Sequence, residues 1–185
     1  RFVIRSLNEA ERTAPTSLSS MPPEDRWILS RLNRVIATTN RLMEEYQFGE
    51  ALREVHDFLW GEYCDWYLEI TKIRLKEDTS PSPLPVLLQV LEVSLRLLHP
   101  FMPFITEELW QQLKQARPEL TQGFPSIMVS EYPCVDESVL DEEAEDLVGT
   151  LIEIIRSIRN LRNEHNVELP HIVDVKVFGH VSTRQ

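Results

Sequence analysis

Aliphatic residues recur at steps of three and four through most of this chain, and that period predicts helices. Over about 24–46, Ile28, Leu32, Val35, Thr39, Leu42 and Tyr46 form one apolar stripe, with Ile36 and Met43 beside it. Pro22 and Pro23 lead into Glu24 and Asp25, and acids in a first turn complement the helix dipole. A second stripe, Phe48, Leu52, Val55, Leu59, Tyr63, Trp66, Ile70 and Ile73, predicts a helix over about 48–76. Trp60, Cys64 and Tyr67 widen its apolar face, so this helix is expected to be central and to knit its neighbours together. Gly61 is tolerated within it at a cost of about 1 kcal/mol relative to Ala.

The pattern breaks at the Ser and Pro residues around 79–83 and resumes with Leu84, Leu87, Leu91, Leu95 and Leu98, a third helix over about 85–98. His99-Pro100 ends it, because the residue before a proline is pushed out of the helical region. Pro103, with its fixed φ, starts a fourth helix reaching about 115. Residues 116–135 read as loop, with 126–130 extended. A fifth helix is predicted over about 137–165, with Leu140, Ala144, Leu147, Leu151, Ile154, Ile158 and Leu161 apolar. Residues 172–178 alternate like a strand.

The fold class that follows is all-α: a helical bundle over 1–170 with a short C-terminal strand-like segment. Residues 171–185 are expected to start an α/β extension or a linker. A chain of 185 residues buries a sizeable core without disulfides or metals. Cys64 and Cys134 make neither a disulfide framework nor a zinc spacing, and a reducing, cytoplasmic setting is expected. No apolar run approaches the roughly 18 residues that span a bilayer, so no membrane is expected as a partner. The chain opens on Arg1-Phe2-Val3 and stops soon after the strand-like segment, so both ends read as cuts in a longer protein.

The net charge of -11 argues against indiscriminate nucleic-acid binding, and DNA is not an expected partner. The charge is unevenly spread. Residues 1–41 hold seven arginines against four acids, whereas 131–146 hold eight acids and no base. The acidic run reads as a solvated helix start or a repulsive edge that phosphates avoid.

Catalytic chemistry is hard to find. The five histidines are scattered, and only Glu168-Leu-Pro-His171 has the Glu-x-x-His spacing of a di-iron bundle, in a proline-containing turn. There is no glycine-rich phosphate loop and no nucleophile elbow. No catalytic residue and no metal ligand is therefore assigned. What remains is the basic stripe of Arg26, Arg34 and Arg41, which reads equally well as a solvated helix face or as an RNA contact. Arg26-Trp27 is the more pointed pair, since a guanidinium and an indole stack on splayed-out bases and bond their edges. Trp27 lies between the basic and apolar faces, so a place in the core is equally open to it. Arg156, Arg159 and Arg162 read better as complements to the C-terminal end of a helix dipole.

Five pieces of the sequence, in order, are similar to a known family. They are Arg1-Phe-Val, Asp25-Arg-Trp-Ile-Leu-Ser-Arg-Leu-Asn33, Glu62-Tyr-Cys-Asp-Trp-Tyr-Leu-Glu-Ile-Thr-Lys72, Leu98-His-Pro-Phe-Met-Pro-Phe-Ile-Thr-Glu-Glu-Leu-Trp110 and Ile127-Met-Val-Ser-Glu-Tyr-Pro133. The chain resembles the anticodon-binding helical domain of class I aminoacyl-tRNA synthetases, most closely the bacterial valyl type. The resemblance covers nearly the whole chain. It implies a bundle that grips the anticodon arm of valine tRNA, with Arg1, Arg26 and Trp27 near the anticodon. It also implies Arg5, Arg31 and Arg34 as phosphate partners. The adenylate signatures His-Ile-Gly-His and Lys-Met-Ser-Lys-Ser are absent from the sequence, so no active site is expected in it. ATP and Mg would serve the parent enzyme, with no cofactor held here, and the rest of the synthetase chain would be the second partner. Two other readings stand beside this one: an isoleucine- or leucine-type synthetase, and a helical interaction domain whose aromatics are all core.

Overall fold

The computed structural model describes residues 20–77, 81–167 and 174–176. It forms two compact units, Arg1–Glu145 and Asp146–Gln185. The described residues are dominated by helices, as the period predicted. They are α1 (Pro23–Glu44), α2 (Phe48–Phe58), a π-helical segment (Leu59–Tyr67), α3 (Leu68–Lys76), α4 (Leu84–Leu98), α5 (Pro103–Ala116) and α6 (Glu142–Glu164). Short 3-10 turns lie at Pro118–Thr121, Ile127–Val129 and Glu137–Val139. No described helix is long and apolar enough to cross a membrane.

In the first unit α1 packs chiefly against α2 and then against α4. Its stripe is buried as its spacing dictates: Ile28, Leu32, Val35, Ile36 and Leu42 all lie in the core. The helix ends after Glu44 because Tyr46 turns left-handed (φ 59°). The Gln47 amide then reaches back to the Leu42 carbonyl at 2.8 Å and the Tyr46 amide to that of Met43 at 3.1 Å. Those two bonds satisfy carbonyls that the helix end would otherwise leave open. Buried Val86, Leu87, Val90 and Leu97 of α4, with Trp110 and Leu113 of α5, complete the core. Glu92 is buried beside them, accepting from Trp110 Nε1 at 3.2 Å and from Arg96 at 2.8 Å.

The second predicted helix is realised as α2, the π-helical segment and α3 in succession. Within the wider turns the Leu68 amide donates to the Tyr63 carbonyl, five residues back. Wider turns carry more residues per revolution, so the buried line drifts off the 3.6-residue stripe. Val55, Leu59, Tyr63, Tyr67 and Thr71 follow one another at steps of four, and Arg74 comes next. Ile73, expected inside, is therefore exposed, and Phe48 at the other end is half exposed. Trp60 corrects the expectation most sharply: it is 61% exposed, whereas Trp66 and Tyr67 are buried.

Three further expectations need correction. Residues 127–129 form a 3-10 turn, not an extended segment, because Ser126 accepts the Met128 amide at 3.1 Å and caps it. The helix expected from 137 starts at Glu142, where the Asp141 side chain accepts the Ala144 amide at 2.9 Å. The buried line of α6 runs Ala144, Val148 and Ile152, one residue off the expected stripe, which leaves Leu147, Leu151 and Leu161 exposed. That line continues the face of Asp141 and Glu145, whose side chains fix the helix's first turn. Of the strand expected at 172–178, only 174–176 are described, and they carry no regular structure.

Candidate nucleic-acid interface

Arg26, Arg31 and Arg34 rise from one side of α1 and are spoken for by carboxylates. Arg26 Nη1 contacts Asp141 Oδ2 at 2.5 Å. Arg31 forks onto Glu62, with Nε and Nη2 bonding its two oxygens at 2.8 and 2.7 Å. Its other terminal nitrogen lies 3.9 Å from Glu145. Arg34 Nε bonds both oxygens of Glu145, at 2.7 and 2.9 Å, and Nη2 lies 3.6 Å from Glu142. The Ser30 hydroxyl also donates to Glu145. The hydrogen bond that Arg31 donates to Glu62 pushes its pKa up against its partial burial, and the bond that Arg34 donates to Glu145 also raises its pKa. Arg26 Nε is buried and makes no hydrogen bond among the described residues.

The start of α6 is thus the counter-charge of α1, which corrects its reading as a solvated or merely repulsive edge. An acidic run and a basic stripe of similar reach were the signal for this pairing. Arg41, further along, pairs among the described residues with Glu45 on its own helix at 3.0 Å, in solvent.

Trp27 is 3% exposed and belongs to the core. A stacking role needs a free ring face, which this burial removes, so the expected direct contact of Trp27 with a base is corrected. Arg1 and Arg5 lie outside the described residues.

Beneath Arg26 sits a cluster that sequence reasoning missed. Asp25 is buried in the first turn of α1, and its Oδ1 accepts the Tyr67 hydroxyl and Arg74 Nη1, each at 2.7 Å. Arg74 also reaches Glu24 at 3.2 Å and the Pro81 carbonyl at 2.6 Å. Burial raises the pKa of Asp25, with Tyr67 and Arg74 pulling the other way. Burial also drives the Tyr67 phenol well above its ordinary value, which keeps it a neutral donor. The cluster locks the end of the second helical run to the start of α1, and so fixes the backbone that carries Arg26. Tyr67 is expected on the widened apolar face but Arg74 is not, and the drift through the π-helical segment brings Arg74 inward beside Tyr67.

Among the described residues no group of three His, Cys, Asp or Glu is placed to hold a metal ion. Another perturbed carboxylate is Glu107. Partial burial opposes its ionisation, but bonds from Gln111, Ser126 and the Ile127 amide prevail and hold its pKa below the ordinary value. It pins the 127–129 turn to α5, which is a structural task. The arrangement offers guanidinium groups on a rigid helix, which is equipment for binding an anion.

Comparison with known proteins agrees. The family model described as the anticodon-binding domain of tRNA ligase matches residues 25–177. A valine–tRNA ligase of Dehalococcoides mccartyi is 53% identical over 179 residues, covering 97% of this chain and 20% of that protein. A valine–tRNA ligase of Listeria monocytogenes is 40% identical, over 95% of this chain and 20% of that protein. One from Thermotoga maritima is 37% identical, over 100% of this chain and 20% of its own length. The chain spans about a fifth of the length of these curated relatives.

Proposed function

This chain belongs to the anticodon-binding domain family of tRNA ligases, and we propose that it holds the anticodon arm of valine tRNA for a catalytic part outside it. The observation that carries the reading is the run of valine–tRNA ligases similar to it over nearly its whole length. The face of α1 supports it. Arg26 would reach base edges, with Arg31 and Arg34, and Arg1 and Arg5 where they join, on the backbone phosphates. Arg26 follows the locked Asp25 in the first turn of α1, and a base edge would replace its single bond to Asp141. Trp27 would act from the core, holding the helix under Arg26. The acids that pair with these arginines in the free protein would be displaced by phosphate, so binding is expected to be salt-sensitive. ATP with Mg, and aminoacylation in the cytoplasm, belong in this reading to the rest of the ligase.

Titration with valine tRNA and with an anticodon-substituted valine tRNA tests the proposal. A complex that weakens with salt and weakens again with the altered anticodon is the expected result. Equal binding of both, or tighter binding of an isoleucine or leucine tRNA, would overturn it. A second reading has its own observation behind it: with Arg26, Arg31 and Arg34 all bonded to carboxylates, the stripe can be a staple between α1 and the start of α6 with no RNA role. Undetectable binding of every tRNA leaves that reading standing.

A further inference from the structure

Three of the four tryptophans, Trp27, Trp66 and Trp110, are buried, and the fourth is not. Trp60 stacks on His56 one helical turn away, with ring centroids 5.0 Å apart and planes within 10°. The two rings form one wall of a groove of about 460 Å³ whose floor is Leu52, Leu59, Leu98 and Met102. The groove does not end there. Phe48, beside the lining residue Gly49, is half exposed, and Phe104 and Ile105, just past Met102, are 90% and 52% exposed. Single exposed apolar residues are ordinary, but a lined groove flanked by large ones marks a surface that meets something.

The charge around it says what that something is. Residues 48–67 carry five acids, Glu50, Glu54, Asp57, Glu62 and Asp65, against the single base Arg53. Arg53 itself lies 3.7 Å from Glu50. A nucleic acid would bring phosphates to a surface that is net negative over these residues, where the lining cation Arg53 already faces Glu50, so aromatic stacking there would work against repulsion. An uncharged, apolar protein face meets no such penalty. This chain corresponds to about a fifth of each related ligase, which leaves most of the polypeptide to supply that face.

We propose that the groove between α2 and the start of α5 is the seat of an apolar segment from another part of the same ligase polypeptide, with Trp60 as its anchor. The inference rests on the reading of this chain as one module of a ligase. It assigns the module two working faces: the arginine side of α1 for RNA, and the Trp60 groove for the enzyme's own body. Aromatic residues set in a pocket with apolar surroundings are the usual energetic centre of a protein interface.

Hydroxyl-radical footprinting of the full-length ligase without tRNA tests it. The oxidation rates of Trp60 and Met102 are compared with that of Met128, a 79% exposed residue of the same chain, each normalised to its rate in the unfolded ligase. The expected result is at least tenfold slower oxidation of Trp60 and Met102 than of Met128, unchanged on dilution. Oxidation of all three at similar rates overturns the proposal. Protection appearing only after valine tRNA is added gives the groove to RNA and also overturns it. Protection that disappears as a dimer dilutes to monomer gives it to a second copy, with the same consequence. None of these outcomes depends on which anticodon the ligase prefers, so failure here is separate from failure of the tRNA reading.

Discussion

The α1 helix and the run from α2 to α3 are neighbours in sequence and in space, yet they use their amphipathic pattern differently. Along α1 the turn is constant, so the stripe that the spacing marks is the stripe that is buried, and the charged side stays charged. Along the second run the turn widens between Leu59 and Tyr67, and the buried line slides around the helix. That slide turns Arg74 inward beside Tyr67, to clamp Asp25 beneath the candidate RNA-binding face. Trp60, at the start of the wider turns, stays outside, on a groove with no described partner. A π-helical segment, an infrequent device that tends to sit at functional places, thus separates the part of the helix that supports one surface from the part that makes another.

The largest effect expected from this contrast lies in two residues of the same type, six apart. Trp66→Ala empties a core site and should cost about 3–5 kcal/mol of stability. Trp60→Ala removes an exposed ring and should cost under about 1 kcal/mol in the chain by itself. Urea unfolding of both variants reads the difference. Similar losses would mean that Trp60 is packed after all.

A second contrast compares charges. Arg74→Ala leaves Asp25 buried with only the Tyr67 hydroxyl for a partner and should cost about 3–5 kcal/mol, since a stranded buried charge is expensive. Arg34→Ala breaks its bonds to Glu145 at a half-exposed site and should cost no more than about 1 kcal/mol, shrinking further in salt. Thermal melts at low and high ionic strength would show whether the two sites part in this way. An Arg34 variant that melts as low as the Arg74 variant would make the α1 stripe a structural staple first.

Much of this was legible in the sequence, and the exceptions have physical reasons. The bundle, the ends of α1, α4 and α5, and the family were readable because a constant helical period and proline punctuation leave direct marks on spacing. The π-helical turns leave none: nothing in Leu59–Tyr67 distinguishes i+5 bonding from i+4, so Ile73 is misplaced by a regular wheel, while Trp60 is put inside by its aromatic character and not by its angle. Trp27 stood at the border of two faces, and only packing decides such a position. The acids of 136–146 were visible as a run, but their task was not, because Asp141 and Glu145 meet Arg26 and Arg34 across more than a hundred residues. Arginines that looked like a free basic face are, in the free protein, neutralised one by one.

That neutralisation makes Arg26 the residue on which the account turns. Its bond to Asp141 is a single contact, and its backbone is held by the Asp25 cluster. The deciding measurement is the affinity of Arg26→Ala for valine tRNA and for the same tRNA with a substituted anticodon, at fixed salt. The account predicts a selective loss, on the order of tenfold or more for the valine anticodon and little for the substituted one, as the removal of a base-edge contact requires. An equal loss for both tRNAs, or none for either, would contradict it.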